Sequence, residues 1–270
     1  MTAAQEHFGT EAQRALLMRG AFAYALLRDD PRFTYYGRTV GLATPESGDI
    51  SLLCALTRLQ GSSAYGRVPA ADLPRHAEAA RGQGLATTVY TRWEGGAAAR
   101  DTARAILRDH PLPDDLTAEW IDADAPPGRL AALAGVALAC GVLPPAGAVL
   151  RGQARPGLGL LARDRAGRAV ACAGAAAYVH PDQALGRAQC WWGMLATHPD
   201  RRGERLALIL GAMALIRMQD RYGFGQVFTG VEPGNAASEA VCRRIGLAPA
   251  DTGVLSVVDA ALLPGGRMTK

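Results

Sequence analysis

The apolar positions of the chain fall into blocks whose spacing changes along its length. Glu11–Leu27 carries them at helical intervals, and Asp29-Asp30-Pro31 stops the run, so an amphipathic helix is expected there. Residues 33–42 and 50–56 have strand composition. Residues 72–81 read as a helix closed by the glycines of Arg81-Gly82-Gln83-Gly84, and 85–90 (LATTVY) is again strand-like. This first part is a mixed α/β pattern without a chemical motif. Its candidate roles are packing on its neighbour, shaping a cleft and forming a dimer face, which makes a homodimer one candidate assembly.

Arg108-Asp109-His110-Pro111-Leu112-Pro113-Asp114-Asp115 combines two prolines with a charge cluster and reads as a linker. It divides an N-terminal part, 1–112, from a more regular C-terminal part, 113–270. There a strand is expected at 117–121 and a helix at 128–140. A strand pair at 158–163 and 169–178 turns at Asp164-Arg165-Ala166-Gly167, and a further strand covers Gln189–Thr197. A long apolar helix follows at 203–222, then a strand at Gln226–Val231, a helix at 235–245 closed by Gly246, and a last strand at 253–258. The order implies an α/β (mixed α+β) sheet with helices on its faces, preceded by a smaller α/β domain.

Composition narrows the function classes. With 49% apolar residues among 270, the chain can bury a proper core. The formal charge of +4 includes no basic run, so no nucleic-acid partner is expected. The basic residues are almost all arginine (Lys270 is the only lysine), so a lone arginine carries little weight as a signal. Cys54, Cys140, Cys172, Cys190 and Cys242 are odd in number and widely spaced, without a C-x-x-C pair. Neither a disulfide framework nor a metal site is expected, and a reducing cytoplasm fits best. The polar opening MTAAQEHFGTEAQR has no signal-peptide pattern. The most apolar run, residues 130–143, is too short to span a bilayer and reads as a buried helix, so no membrane partner is expected.

Two stretches carry chemistry. HPDRRGERLA, residues 198–207, joins a strand to the long helix. The first N–H groups of a helix lack intrahelical partners and lie at the positive end of its dipole, a setting that suits a pyrophosphate. Gly203 and Ala207 are small enough for close approach, and Arg201 and Arg202 add charge. One strand later comes GNAASEAVCRRIGL, residues 234–247, in which Asn235 is a good N-cap and Gly246 a terminator.

In this order and spacing the pair resembles the GNAT superfamily of acyl-CoA-dependent N-acyltransferases. Members carry a strand ending in V-x-P, then R/Q-x-x-G-x-G/A at a long helix, then a strand followed by N-x-x-S/A, a short helix and G-F. The matches are residues 195–207 and 232–247, and the strand order extends the likeness over roughly 115–259. The resemblance implies a splayed mixed sheet with helices on both faces. It makes the first part a candidate for the degenerate GNAT-like half found in tandem members. It also implies acetyl-CoA as co-substrate and a primary amine, such as that of a small molecule, as acceptor, with direct attack in a ternary complex. The alternatives are a non-catalytic acyl-CoA-binding or regulatory protein, and a relative using aminoacyl-tRNA, against which the near-neutral charge counts.

The resemblance also assigns positions. Backbone amides along Arg202, Gly203, Arg205, Leu206 and Ala207 would hold the pyrophosphate. Met194, Leu195 and Thr197 would pair with the pantetheine arm, and Asn235 and Ser238 would touch that arm or cap the helix beside it. Arg205 stands where the middle glycine of the motif is usual. Cys242, seven residues after the asparagine, stands where a tyrosine often protonates the leaving thiolate.

An alkyl amine, with a pKa of about 10 in water, must lose a proton before it attacks, so a base is needed. The candidates are Glu232, at the end of the strand before the second motif, and Glu119, in the first strand of the C-terminal part; His180 and His198 rank below them. A strand amide such as that of Leu195 would receive the oxyanion. Strand alternation sends Trp191 and Trp192 to opposite faces, one of them available to an acceptor pocket.

Overall fold

A computed structural model of the chain describes residues 6–265. The expectation of no signal peptide rests partly on residues 1–5, which lie outside that span, as does Lys270. Helices are α1 Glu11–Leu27, α2 Ile50–Gln60, α3 Leu73–Arg81, α4 Ala97–Asp109, α5 Pro127–Ala139, α6 Gly147–Leu150, α7 Leu206–Tyr222 and α8 Ala236–Arg244. Strands are β1 Phe33–Thr34, β2 Gly41–Leu42, β3 Ser62–Pro69, β4 Ala86–Gly95, β5 Leu116–Ile121, β6 Gly157–Asp164, β7 Ala169–Ala177, β8 Gln189–Thr197, β9 Gln226–Val231 and β10 Ala248–Val258.

Two expectations in the first part are corrected. Residues 50–56 are not a strand but the start of α2, where Asp49 accepts from Leu52 N–H as N-cap and Gly61 closes the helix in the left-handed conformation. Residues 33–42 form two short strands, Phe33 opposite Leu42 and Thr34 opposite Gly41, with the loop 35–40 between them. The long helix of the C-terminal part begins at Leu206 rather than 203, because Gly203 and Arg205 have φ of 88° and 61°, outside the helical region.

All ten strands form one mixed sheet in the order β1-β2-β3-β10-β4-β9-β8-β7-β6-β5. β5 to β8 are successive antiparallel neighbours, and β8 and β9 are parallel. The connection at 110–115 joins α4 to β5, but the sheet does not divide there. β10, from the end of the chain, runs antiparallel between β3 and β4 of the first part.

Helices cover both faces, as expected. One core includes residues of α2, α3 and α5, among them Leu53, Ala77, Leu130 and Leu133. The other includes residues of α4, α7 and α8, among them Ala103, Leu210, Leu215 and Cys242. β7, Ala-Val-Ala-Cys-Ala-Gly-Ala-Ala-Ala, is so poor in bulk because α7 lies on one face and α5 on the other. At Gly211 of α7 a Cβ would come within 2.7 Å of the Trp192 ring, so only glycine fits this approach. The run 130–143 supplies α5, and no helix among the described residues is long and apolar enough to cross a membrane.

Candidate active site

The parallel pair β8–β9 opens partway along. Gln189, Cys190 and Trp191 face Gln226, Val227 and Phe228, and there the pairing stops although both strands continue. The bulge in β8 lies on the open side. Cys172 is opposite Ala196 and Gly174 opposite Gly193, so Met194 and Leu195 together face the single residue Ala173. Met194 takes the extra turn at φ 54°, a costly conformation for a side chain, and its side chain packs against Gly174. The separated strand ends line a cavity of about 700 Å³ with the start of α7 and the first turns of α8. That size lies within the range of small-molecule sites.

The α7 end of the cavity is built from backbone. His198, Pro199 and Asp200 begin a tight turn in which Arg202 N–H donates to Pro199 O at 3.2 Å. The Arg202 amide is therefore spent inside the turn, which corrects its expected place among the phosphate donors; its side chain stays exposed at the cavity. By contrast, the N–H groups from Gly203 to Ala207 have no hydrogen-bond acceptor among the described residues; the first α7 bonds are Leu208 and Ile209 to Arg205 O. Arg205 adopts the left-handed conformation that glycine favours, and so its amide keeps the direction a glycine would give it.

The two expected charges behave differently. Arg201 is locked, donating from Nε and Nη2 to Glu204 at 2.7 Å each and pairing with Asp115 at 3.0 Å. Glu204 and then Asp115 push the Arg201 pKa up, while Arg201 holds the Glu204 carboxyl below the usual range. Arg201 therefore ties the turn to the start of β5 and is not free for a ligand. Arg202 and Arg205 are exposed, line the cavity, and have no carboxylate within 4 Å among the described residues.

Met194, Leu195, Thr197, Gly203, Leu206, Ala207, Asn235, Ser238, Cys242 and Glu232 all line this cavity. The Thr197 hydroxyl is buried there without a hydrogen-bond partner. Asn235 caps α8, its Oδ1 accepting from Ser238 N–H at 3.2 Å. Glu232 closes β9, and its carbonyl accepts from Asn235 N–H at 3.1 Å. Cys242 is 2% exposed, and burial pushes its thiol up to about 12.

Glu119 is not part of the site. It sits on the edge strand β5, with β6 and β7 between it and β8, and its carboxylate is held by Arg129 at 3.0 Å and Arg163 at 3.2 Å. His198 Nδ1 accepts from Asp200 N–H at 3.4 Å, and His180 lines a separate cavity beside α1. The tryptophans divide as alternation requires. Trp192 donates from Nε1 to Gly211 O at 2.8 Å within the α7 core, while the Trp191 ring turns toward Tyr36 on the opposite face.

Four further residues meet the cavity mouth or its neighbour without having been singled out from the sequence. Tyr36 and Arg38 come from the 35–40 loop, Tyr90 from β4, and Tyr178 follows β7. The one local hint is Tyr35-Tyr36-Gly37-Arg38, an aromatic pair beside an arginine in a chain with only 6% aromatic residues. Nothing local shows that the loop reaches β8.

No family model matches the chain, and no curated protein matches its sequence. Solved structures do. A tandem GNAT protein from the clavulanic acid biosynthesis pathway is similar with a TM-score of 0.50 at 18% identity, over 78% of this chain and 69% of that one. A GCN5-related N-acetyltransferase from Kribbella flavida gives 0.52 at 16% identity, covering 93% and 96%. A Drosophila protein gives 0.53 at 14% identity, covering 94% and 91%. The chain has the mixed, helix-flanked sheet of the GNAT fold.

Proposed function

We propose that the chain is an acyl-CoA-dependent N-acyltransferase that moves an acetyl group from acetyl-CoA to the amine of a small molecule. One observation carries the reading. The unpartnered amides of Gly203 to Ala207 and the unpaired strand edges beyond Trp191 and Phe228 open into the same cavity. An amide row at a helix start suits a diphosphate, and an unpaired parallel edge suits an extended amide-bearing arm such as pantetheine.

In this reading the Gly203, Arg205, Leu206 and Ala207 amides hold the diphosphate, with Arg202 and Arg205 supplying charge from the rim. Met194, Leu195 and Thr197 align the arm along β8, and Asn235 and Ser238 flank it. Leu195 N–H, at the bulge, serves as oxyanion donor. Glu232 accepts the amine proton, directly or through water. Acetyl-CoA supplies the thioester; the amine nitrogen bonds to its carbonyl carbon, the carbon–sulfur bond breaks, and the thiolate departs. With its thiol at about 12, Cys242 is a neutral hydrogen-bond donor rather than an acid of useful strength.

That last point also favours a second reading, a non-catalytic acyl-CoA-binding protein, because the usual acid position holds a weak one. Thiol release from acetyl-CoA with a panel of amines separates the two. The enzyme reading expects turnover that Glu232→Gln lowers by about 10²-fold or more, with acetyl-CoA affinity retained. Binding without thiol release for any amine would favour the second.

A further inference from the structure

Next to the main cavity lies a smaller one of about 110 Å³, and Arg38, Tyr90, Trp191 and Gly230 line both. Its walls come from both halves of the chain. Tyr36 lies 4.8 Å from Trp191 and 5.4 Å from Tyr178, centroid to centroid, and Tyr178 lies 5.0 Å from Phe228. Into this aromatic box the 35–40 loop inserts one cation. Arg38 is 6% exposed, with its guanidinium carbon 5.2 Å from the Tyr36 centroid and 5.4 Å from that of Trp191.

The hydrogen bonding of Arg38 is incomplete. Nη1 donates to the Tyr36 hydroxyl at 3.1 Å. Nε is buried without a partner, and no described carboxylate lies within 4 Å of the guanidinium. Arg19 Nη2 and Arg100 Nε, on half-buried arginines, also lack partners, but the equally buried Arg92 and Arg155 are well supplied with acceptors. Arg155 donates to the carbonyls of Tyr35, Tyr178 and Val179, and Arg92 to Glu94, Gly66 and Gln189. A buried cation with an unused donor is expensive, and it marks a place where a ligand completes the shell. A guanidinium receives a carboxylate in bidentate fashion along its Nε–Nη2 edge, and on Arg38 neither of these atoms donates to a described residue.

The loop is held in place beforehand. Ala146 N–H donates to Gly37 O at 2.6 Å, and Tyr35 N–H to Tyr178 O at 3.0 Å. Val40 exchanges hydrogen bonds with the Gln60 side chain, at 2.7 and 3.1 Å. Gly37 has φ 96°, and a Cβ there would meet Pro145 at 2.7 Å, so the loop keeps this path only with glycine. A ligand of Arg38 therefore meets a fixed partner.

We propose that the smaller cavity is the acceptor subsite and that Arg38 determines its specificity, receiving the carboxylate of a small amino acid whose amine faces the main cavity. The proposal rests on the acyltransferase reading above. At about 110 Å³ the cavity has room for a carboxylate and a few carbons. The aromatic walls alone would suit an ammonium group. Arg38 reverses that preference: its charge opposes a permanently cationic ligand and favours the neutral amine that attack requires.

The test uses matched pairs, glycine with glycinamide and β-alanine with its amide, in thiol-release assays on the full chain. Rates are compared per unprotonated amine. The expected result is a preference for the acid of at least tenfold in kcat/KM, carried by KM. Arg38→Gln should collapse that preference by at least tenfold, and Arg38→Lys should keep part of it. Equal use of acid and amide by the native chain would overturn the proposal, as would a preference surviving Arg38→Gln. Retained acetyl-CoA binding shows that each variant is folded; if Arg38→Gln is not, the native pairs and Arg38→Lys still decide. If no amine releases thiol, the acyltransferase reading fails by itself. Calorimetry with the same pairs and CoA then reads Arg38: binding of the acid but not the amide supports its role, and no difference overturns it.

Discussion

Replacing Arg205 with glycine should raise the stability of the chain and lower its affinity for acetyl-CoA. Arg205 sits at φ 61° as the residue before α7, a conformation that costs a side-chain-bearing residue about 1–2 kcal/mol. Glycine removes that cost but adds about 0.4–1 kcal/mol of unfolded-state freedom. The net gain is centred on about 0.8 kcal/mol within a range of about 0–1.6, a rise in Tm of roughly 2–3 °C for a chain of this size. The side chain is exposed, so its attraction to a phosphate is screened and worth no more than about 1 kcal/mol, a weakening of about fivefold when removed. Urea titration reads the first effect. Calorimetry with acetyl-CoA at low and high salt reads the second, which should shrink as salt rises. A less stable variant would refute the left-handed assignment, and an unchanged affinity at low salt would refute a contribution of the Arg205 side chain to phosphate binding.

Other outcomes follow from the packing. Arg92, 2% exposed, donates to Gly66 O, Glu94 and Gln189 and lies over Phe228, so Arg92→Met should cost about 3 kcal/mol in denaturant unfolding by leaving those partners unmatched. Gly211→Val should cost about 1–3 kcal/mol or more, because its Cβ meets Trp192 at 2.7 Å; an unchanged unfolding midpoint would contradict the contact. Burial raises the thiols of Cys54, Cys172, Cys190 and Cys242 above the unfolded value of ~8.5, so unfolding in alkali releases protons. Their contribution is full below that value and declines as pH rises toward about 12 for Cys242, so stability measured at pH 8, 9 and 10 should fall steadily.

Much of the C-terminal part was legible in the sequence because its elements are long and strongly patterned. Gln189–Thr197 and Gln226–Val231 have the expected bounds, and α8 follows its Asn235 cap as read. Ile50-Ser51-Leu52-Leu53-Cys54 misled because a short apolar run has no distinctive period; the decisive signals were Asp49 before it and Gly61 after it. α4 is faint in the sequence although Ala99, Ala103 and Ile106 mark one helical face, since alanine gives a weak apolar signal. The place of β10 between β3 and β4 depends on contacts about 190 residues apart, such as Ser62 Oγ donating to Val257 O at 3.0 Å. No local pattern encodes that choice. The same limit applies to the site. The amide row at Gly203 to Ala207 follows from a local motif, whereas Glu119 lay on a strand whose distance from the cleft only the sheet order reveals. Arg38 reaches the cavity only because the 35–40 loop is tied to Ala146 and Tyr178, far along the chain.

The most direct measurement is a calorimetric titration of the full chain with acetyl-CoA. One site per chain is expected, weakened by salt and by Glu or Asp placed at Gly203 beside the amide row. No heat of binding at high micromolar acetyl-CoA, with the chain folded, would contradict it.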